Sequence, residues 1–269
     1  MSMAMPELKT EQKKQLPLVE IVSHCYAAEL PQYAAMLVYQ ASSLVLHKPK
    51  HCRVCLSICV QREDQHGTVP SDPNVAKVLS WVKETLKENS IQWTICYQRK
   101  VELGRRCIGR NHLALHSNAD IVWFADVDQV YRDGVLDQLV EMPWPEQASM
   151  VFPRDIMIHR DWITGDERTF AVDLDDLHLV DVELSEFVAK RYKKAIGGVQ
   201  IVRGDFARKY GYLDRNEKWQ QPTEKPLGDF RDDIAYRRFC LDHGLIVGVD
   251  LPGLFRLRHT KTSYQDDKK

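Results

Sequence analysis

Two carboxylates one residue apart, Asp126 and Asp128, close the apolar segment IVWFADVD. Hard divalent cations such as Mg2+ and Mn2+ take oxygen ligands and keep waters and substrate phosphates, so one or two carboxylates on a short rigid turn suffice to hold them. A cation held in that way carries a diphosphate. Asp-x-Asp also occurs as a plain turn cap, but at the end of a buried strand two uncompensated carboxylates are costly unless something positive binds there. A second acidic pair, Asp232-Asp233, opens the helix-patterned DDIAYRRFCLDHG. Its place at a helix start favours the ionised form, and either residue can equally serve as an N-cap. Arg105, Arg106 and Arg110 are candidate phosphate or nucleobase contacts, with an exposed helix face as the alternative reading.

The elements that must position these groups alternate in type. LVEIVSHCY reads as a buried strand, and LPQYAAMLVYQASSLVL behind it as a helix. CRVCLSICVQ is a strand, followed by a Pro-Ser-Asp-Pro turn and a helix with Val75, Val78, Leu79, Val82 and Leu86 on one face. IQWTICYQ is a third strand, and Gly104 to Ser117 a further helix feeding IVWFADVD. Strands alternating with helices predict an α/β fold, a mostly parallel doubly wound sheet with helices on both faces. Ligands on such sheets sit at the carboxyl ends of the strands, where Asp126 and Asp128 fall. From Val151 to Lys194 the pattern is irregular and charged. AIGGVQIVRGDF then gives a Gly-Gly turn, a strand and a helix start, and LIVGVD is a late strand before a basic end, FRLRHTKTSY.

The stretch GRRCIGRNHLALHSNADIVWFADVDQVY resembles the core of GT-A glycosyltransferases, family 2 enzymes above all, through Arg110-Asn111 and Asp126-Val127-Asp128. GGVQIVRGDF, with Gly197 and Gly198, resembles the strand that walls the sugar site in these enzymes, and DDIAYRRF their acidic motif, here Asp232-Asp233 where Glu-Asp is usual. The order of the motifs, from about Leu18 to Thr262, carries the resemblance. It implies a GT-A fold, a divalent cation (Mn2+ or Mg2+) on Asp126, Asp128 and His259, and a nucleoside-diphosphate-sugar donor with a glycan or other hydroxyl acceptor. It also implies a base among Asp232 and Asp233 for an inverting transfer. Cys25 and Tyr26 follow the first strand, where these enzymes seat the nucleobase. Arg105, Arg110, Asn111, Asp126, Gly197 and Gly198 complete the expected donor contacts. Arg256, Arg258 and Lys261 would neutralise the leaving diphosphate or form a solvated run. Trp162 and Trp219 would shape an acceptor site. The expected organisation is a polar tail over 1–17, one domain over 18–262 divided near 130 into nucleotide and acceptor halves, and a tail over 263–269.

The 269 residues are enough to bury a core as one α/β domain. With 37 Lys and Arg against 38 Asp and Glu, no global field gathers nucleic acid or anionic membrane, so anion binding must be local. Seven cysteines in a chain of this size predict reduced thiols, and CRVCLSICV is read as apolar packing rather than a metal cluster with His51. No stretch approaches the roughly 20 apolar residues that span a bilayer, which predicts a cytoplasmic enzyme. Two other readings are a haloacid dehalogenase-type phosphatase with Asp126 as nucleophile, supported by Gly228-Asp229 and Asp233, and a domain that binds a nucleotide-sugar or glycan without turnover. A P-loop reading of Gly104–Asn111 fails because Arg110 and Asn111 stand where Lys and Ser or Thr are needed.

Overall fold

The computed structural model describes residues 15–26, 32–62, 70, 72–160, 172–222 and 231–257. Strand β1 (Leu18–Cys25) is buried along its whole length, as an apolar run covered on both faces must be. It pairs in parallel with β2 (Arg53–Gln61), which pairs in parallel with β3 (Gln92–Gln98). The crossovers are α1 (Gln32–Leu46) and α2 (Pro73–Glu88). Helix α2 buries the five apolar residues anticipated for it, with Asp72 capping Asn74 N and Val75 N and Pro73 in the first turn.

After β3 a short helix, α3 (Lys100–Leu103), precedes α4 (Arg106–His116). The sequence pattern predicts one helix from Gly104. The break falls there because Gly104 ends α3 and Arg105 leaves helical geometry at φ −109°, ψ 84°. Strand β4 (Ile121–Ala125) then returns to the far side of β1, parallel to it and buried at every position. The chain therefore runs outward through β2 and β3 and re-enters beside β1, which makes the carboxyl ends of β1 and β4 a topological switch point.

The second half adds α5 (Val135–Glu141), β6 (Ala148–Pro153), β9 (Val199–Arg203), α6 (Gly204–Tyr210), α7 (Glu217–Gln220), α8 (Asp232–Leu241) and β10 (Leu245–Val249). The seven-stranded sheet runs β10-β6-β9-β4-β1-β2-β3, with β9 antiparallel to both its neighbours. A second sheet, absent from the sequence reading, consists of β5 (Gln129–Tyr131), β11 (Leu254–Arg256), β7 (Asp155–His159) and β8 (Phe187–Arg191), in the order β5-β11-β7-β8. Its importance is positional: β5 leaves directly from the Asp126–Asp128 turn, and β11 lies antiparallel on it with Arg256 opposite Gln129. All seven cysteines are free thiols. Cys52 is buried with its thiol toward Leu136 O, and Cys55 lies beside the Ser57 and Thr94 hydroxyls.

Candidate active site

Asp126 is the first residue beyond β4, and three backbone or amide contacts hold its turn. Gln40 Nε2 donates to Asp126 O at 3.1 Å, Gln129 N to the same oxygen at 3.3 Å, and Leu257 N to Asp128 O at 2.8 Å. Both carboxylates are met by arginine. Arg106 Nη1 and Arg110 Nη2 reach Asp126 Oδ1 at 3.3 and 3.2 Å. Arg256 Nε donates to Asp128 Oδ2 at 2.8 Å, with its Nη2 3.7 Å from Asp126 Oδ2. Arg106 and Arg110 are four apart on α4 and so share a face. That face is the inner one: Arg110 is fully buried and the Arg106 side chain is 13% exposed. The exposed-helix-face reading of these two residues is thereby overturned, since a buried guanidinium needs a buried carboxylate.

The second acidic pair meets the first across Arg106, whose Nη2 donates to Asp232 Oδ1 at 2.9 Å. Asp232 is buried, and Asp233 N also donates to its Oδ1. Asp233 is half-buried and differs in kind. Burial raises its carboxyl above the ordinary value, a rise that Arg106 opposes and Asp232 reinforces. Its Oδ1 is buried with no hydrogen-bond partner among the described residues. A polar chain joins the two pairs: Arg110 Nη1 donates to Tyr212 Oη, Tyr212 Oη to Gln200 Oε1, and Gln200 Nε2 to Asp233 O.

Gly197 and Gly198 lie between the pairs. A β-carbon on Gly198 would stand 2.7 Å from Asp126 Oδ2 and 2.5 Å from Gln129 Nε2, while one on Gly197 would lie 3.4 Å from the Asp233 β-carbon. Trp123 Nε1 and Gln129 Nε2 both donate to Gly198 O, pinning the turn. Only glycine permits this approach at 198.

Beside the acids, at the carboxyl end of β1, His24 stacks on Tyr26 and Tyr26 meets Tyr33 edge-on at 5.7 Å. Burial first, then Arg110 and Arg106, keeps His24 well below its usual value, and therefore neutral at pH 7. Burial, then Asp128 and Asp126, pushes the Tyr33 hydroxyl up. His24 and Gln98, at the ends of β1 and β3, converge on Gly109, whose β-carbon would lie 2.8 Å from His24 Nε2 and 2.7 Å from Gln98 Oε1. The sequence reading passed over His24, Gln98 and Tyr33, although the carboxyl-end rule that singled out Asp126 applies equally to the first two.

Other expected contacts lie elsewhere. Cys25 is packed in the hydrophobic core. Both amide atoms of Asn111 are engaged by the turn after α6, Nδ2 with Asp214 Oδ1 and Oδ1 with Tyr212 N. Arg105 lies over the Trp219 ring at 5.5 Å, which occupies the aromatic face expected for an acceptor. His259, Arg258, Lys261, Trp162, Gly228 and Asp229 fall outside the described residues. Among the described residues no group of three or more His, Cys, Asp or Glu forms a ready-made metal cage. Two oxygen-donor carboxylates on one turn do fit a cation that keeps waters and phosphate ligands.

No family model matches the sequence, and no curated protein matches it. Solved structures do. The mannosyltransferase PcManGT from Pyrobaculum calidifontis, in complex with GDP-Man and Mn2+, aligns over 93% of this chain and 59% of its own, with a TM-score of 0.53 at 12% identity. The fold is of the GT-A type. The apo-form glycosyltransferase GlyE of Streptococcus pneumoniae TIGR4 aligns over 94% of this chain and 56% of its own, at 13% identity and a TM-score of 0.48. The chain thus spans less than two thirds of either structure. On the GT-A scaffold the acid cluster sits where the doubly wound sheet opens, at the carboxyl ends of β1 and β4. Among the described residues no helix is long and apolar enough to cross a membrane.

Proposed function

We propose that the protein is a metal-dependent glycosyltransferase that moves a sugar from a nucleoside-diphosphate-sugar to an acceptor hydroxyl, with inversion. The observation that carries this reading is the junction at Gly197-Gly198, where a β-carbon on Gly198 would meet the arginine-held Asp126 and one on Gly197 would meet the half-buried Asp233, so that both acids border one turn without side chains. The Mn2+ and GDP-Man held by the solved mannosyltransferase support the same reading. Asp126 and Asp128 would hold the divalent cation, Mn2+ or Mg2+, which when bound neutralises charge developing on the leaving diphosphate.

The chain's own groups do the rest. Asp233 takes the proton of the acceptor hydroxyl, and its raised pKa makes it a better base than an ordinary carboxylate. Asp232 positions Arg106, and Arg106 orients Asp126 and lowers the cost of two acidic pairs in one cluster. Tyr26 and Tyr33 are partly exposed and offer ring surface for the nucleobase, with His24 and Gln98 buried against Gly109 beside them. A phosphatase with Asp126 as nucleophile draws no support from this geometry, because two arginines draw on the same Oδ1.

Asp128→Ala removes metal-dependent donor binding by calorimetry, whereas Asp233→Asn binds donor as the wild type does and loses turnover. Equal donor affinity in the wild type and Asp128→Ala contradicts the metal assignment.

A further inference from the structure

The register of β2 on β3 sets two thiols against each other. Cys59 is opposite Cys96 in the parallel ladder, so both side chains leave the sheet on the same face. Neighbouring strands lie about 4.7–4.9 Å apart, within the roughly 4.4–6.8 Å between α-carbons that a disulfide spans. Both residues are free thiols, joined by a hydrogen bond in which Cys59 donates. In the strand pairings among the described residues no other two cysteines are opposed, and Cys52, Cys55 and Cys107 have oxygen partners instead.

The two thiols are unlike. Cys59 is fully buried, and burial pushes its thiol up. Cys96 is half-buried on β3, the edge strand of the seven-stranded sheet, and the hydrogen bond from Cys59 holds its thiol below the ordinary value. The thiolate is the attacking form, so the more accessible and more acidic Cys96 reacts first and Cys59 resolves. Cys59 also ties the pair to the acid cluster. Its Sγ packs on Gly109 of α4, where a β-carbon would lie 2.6 Å from it, and the next residue, Arg110, holds Asp126 Oδ1 and Ala125 O. Drawing this sulfur toward Cys96 takes it off Gly109 and loosens the seat of α4 one residue from Arg110.

We propose that Cys59 and Cys96 are a reversible dithiol site for low-molecular-weight disulfides, and that its closure to an intrachain disulfide weakens the donor site at Asp126. The coupling rests on the proposed glycosyltransferase reading, and the disulfide does not. The Cys96 thiolate attacks one sulfur of the reagent, breaks its S–S bond and releases one thiol, leaving a mixed disulfide on Cys96. The Cys59 sulfur then attacks the Cys96 sulfur and expels the second thiol. The chain gives up two electrons and two protons, and the reagent carries them away as two thiols.

The test is incubation of the full native chain with oxidised glutathione, followed by peptide mapping without reduction and by binding of UDP, GDP, ADP and CDP, each with Mn2+. The expected map joins Cys59 to Cys96, the link is reversed by dithiothreitol, and the oxidised form loses nucleotide affinity severalfold. Cys96→Ser gives no link and keeps its affinity through the same treatment, while Cys59→Ser stops at a glutathione adduct on Cys96. If Cys59→Ser does not fold, Cys96→Ser decides. Oxidised wild type with Cys59 and Cys96 unlinked, or linked to other cysteines, overturns the proposal. A Cys59–Cys96 link with unchanged nucleotide affinity overturns the coupling. If the reduced chain binds none of the four nucleotides with Mn2+, the coupling fails with the donor-site reading, and the map alone decides the thiol pair.

Discussion

The two acidic pairs sit on opposite sides of one arginine and are treated differently by the fold. In the first pair both carboxylates are matched by guanidiniums, Asp126 by Arg106 and Arg110 and Asp128 by Arg256. In the second, Asp232 takes Arg106 and Asp233 is left in a half-buried place where burial makes ionisation harder. Charge saturation fits the first pair to be a binding element, stable as a set and costly to break. The strained acid of the second pair is suited to accepting a proton. In the proposed transfer the adjacent residues Asp232 and Asp233 would divide the roles that the sequence left shared, one positioning an arginine and the other serving as base.

The contrast sets an order of expected effects. Asp233→Asn lowers kcat by about 10²–10⁴, the range for loss of a general base, in a transfer assay with the cognate donor. Its melting temperature does not fall, since a carboxylate that resists ionisation is removed. Arg110→Met removes a fully buried guanidinium from Asp126, Ala125 O and Tyr212 and costs roughly 3–5 kcal/mol, as breaking a buried pair does, read as a fall in denaturation midpoint. If Asp233→Asn destabilises as much as Arg110→Met, the division into a structural and a chemical acid collapses. Gly198→Ala forces Asp126 and Gln129 aside and costs about 1–3 kcal/mol, with a loss of donor affinity larger than its loss of stability.

The pH dependence is the smallest effect and the most specific. Because the Asp233 carboxyl is raised in the folded state, the native protein binds more protons than the unfolded chain between the ordinary aspartate value and the raised one. Asp233 therefore stabilises at low pH and loses that contribution as pH rises through this window, opposite in sign to a salt-bridged aspartate. Asp233→Asn flattens that part of the stability–pH curve, and in the wild type kcat/KM rises through the same raised value as the base ionises.

Much of the first half of the chain was legible because each residue pattern has a single cause. The apolar runs of β1, β2 and β4 are buried on both faces, and the 3.6-residue stripe of α2 faces the sheet. The second sheet was not legible. Its strands β5 and β11 are three residues each, too short for a period to show, and β11 pairs with residues more than 120 positions away. That is also why Arg256 read as part of a basic end rather than as the partner of Asp128. The acid pairs themselves were visible as carboxylates at a strand end and a helix start. Which acid would be neutralised was not, because it depends on the inner face of α4, where Arg110 is fully buried and the Arg106 side chain only 13% exposed, against expectation for charged side chains.

The central claim is that this acid cluster binds a nucleoside diphosphate through a divalent cation. The direct measurement is a thermal-shift series of nucleoside diphosphates and nucleotide-sugars, each with and without Mn2+, because a ligand of the native state raises the melting point by mass action. The account predicts a rise that needs both Mn2+ and one class of nucleotide and is lost in Asp128→Ala. No rise with any nucleotide, together with hydrolysis of simple phosphate esters, would contradict it.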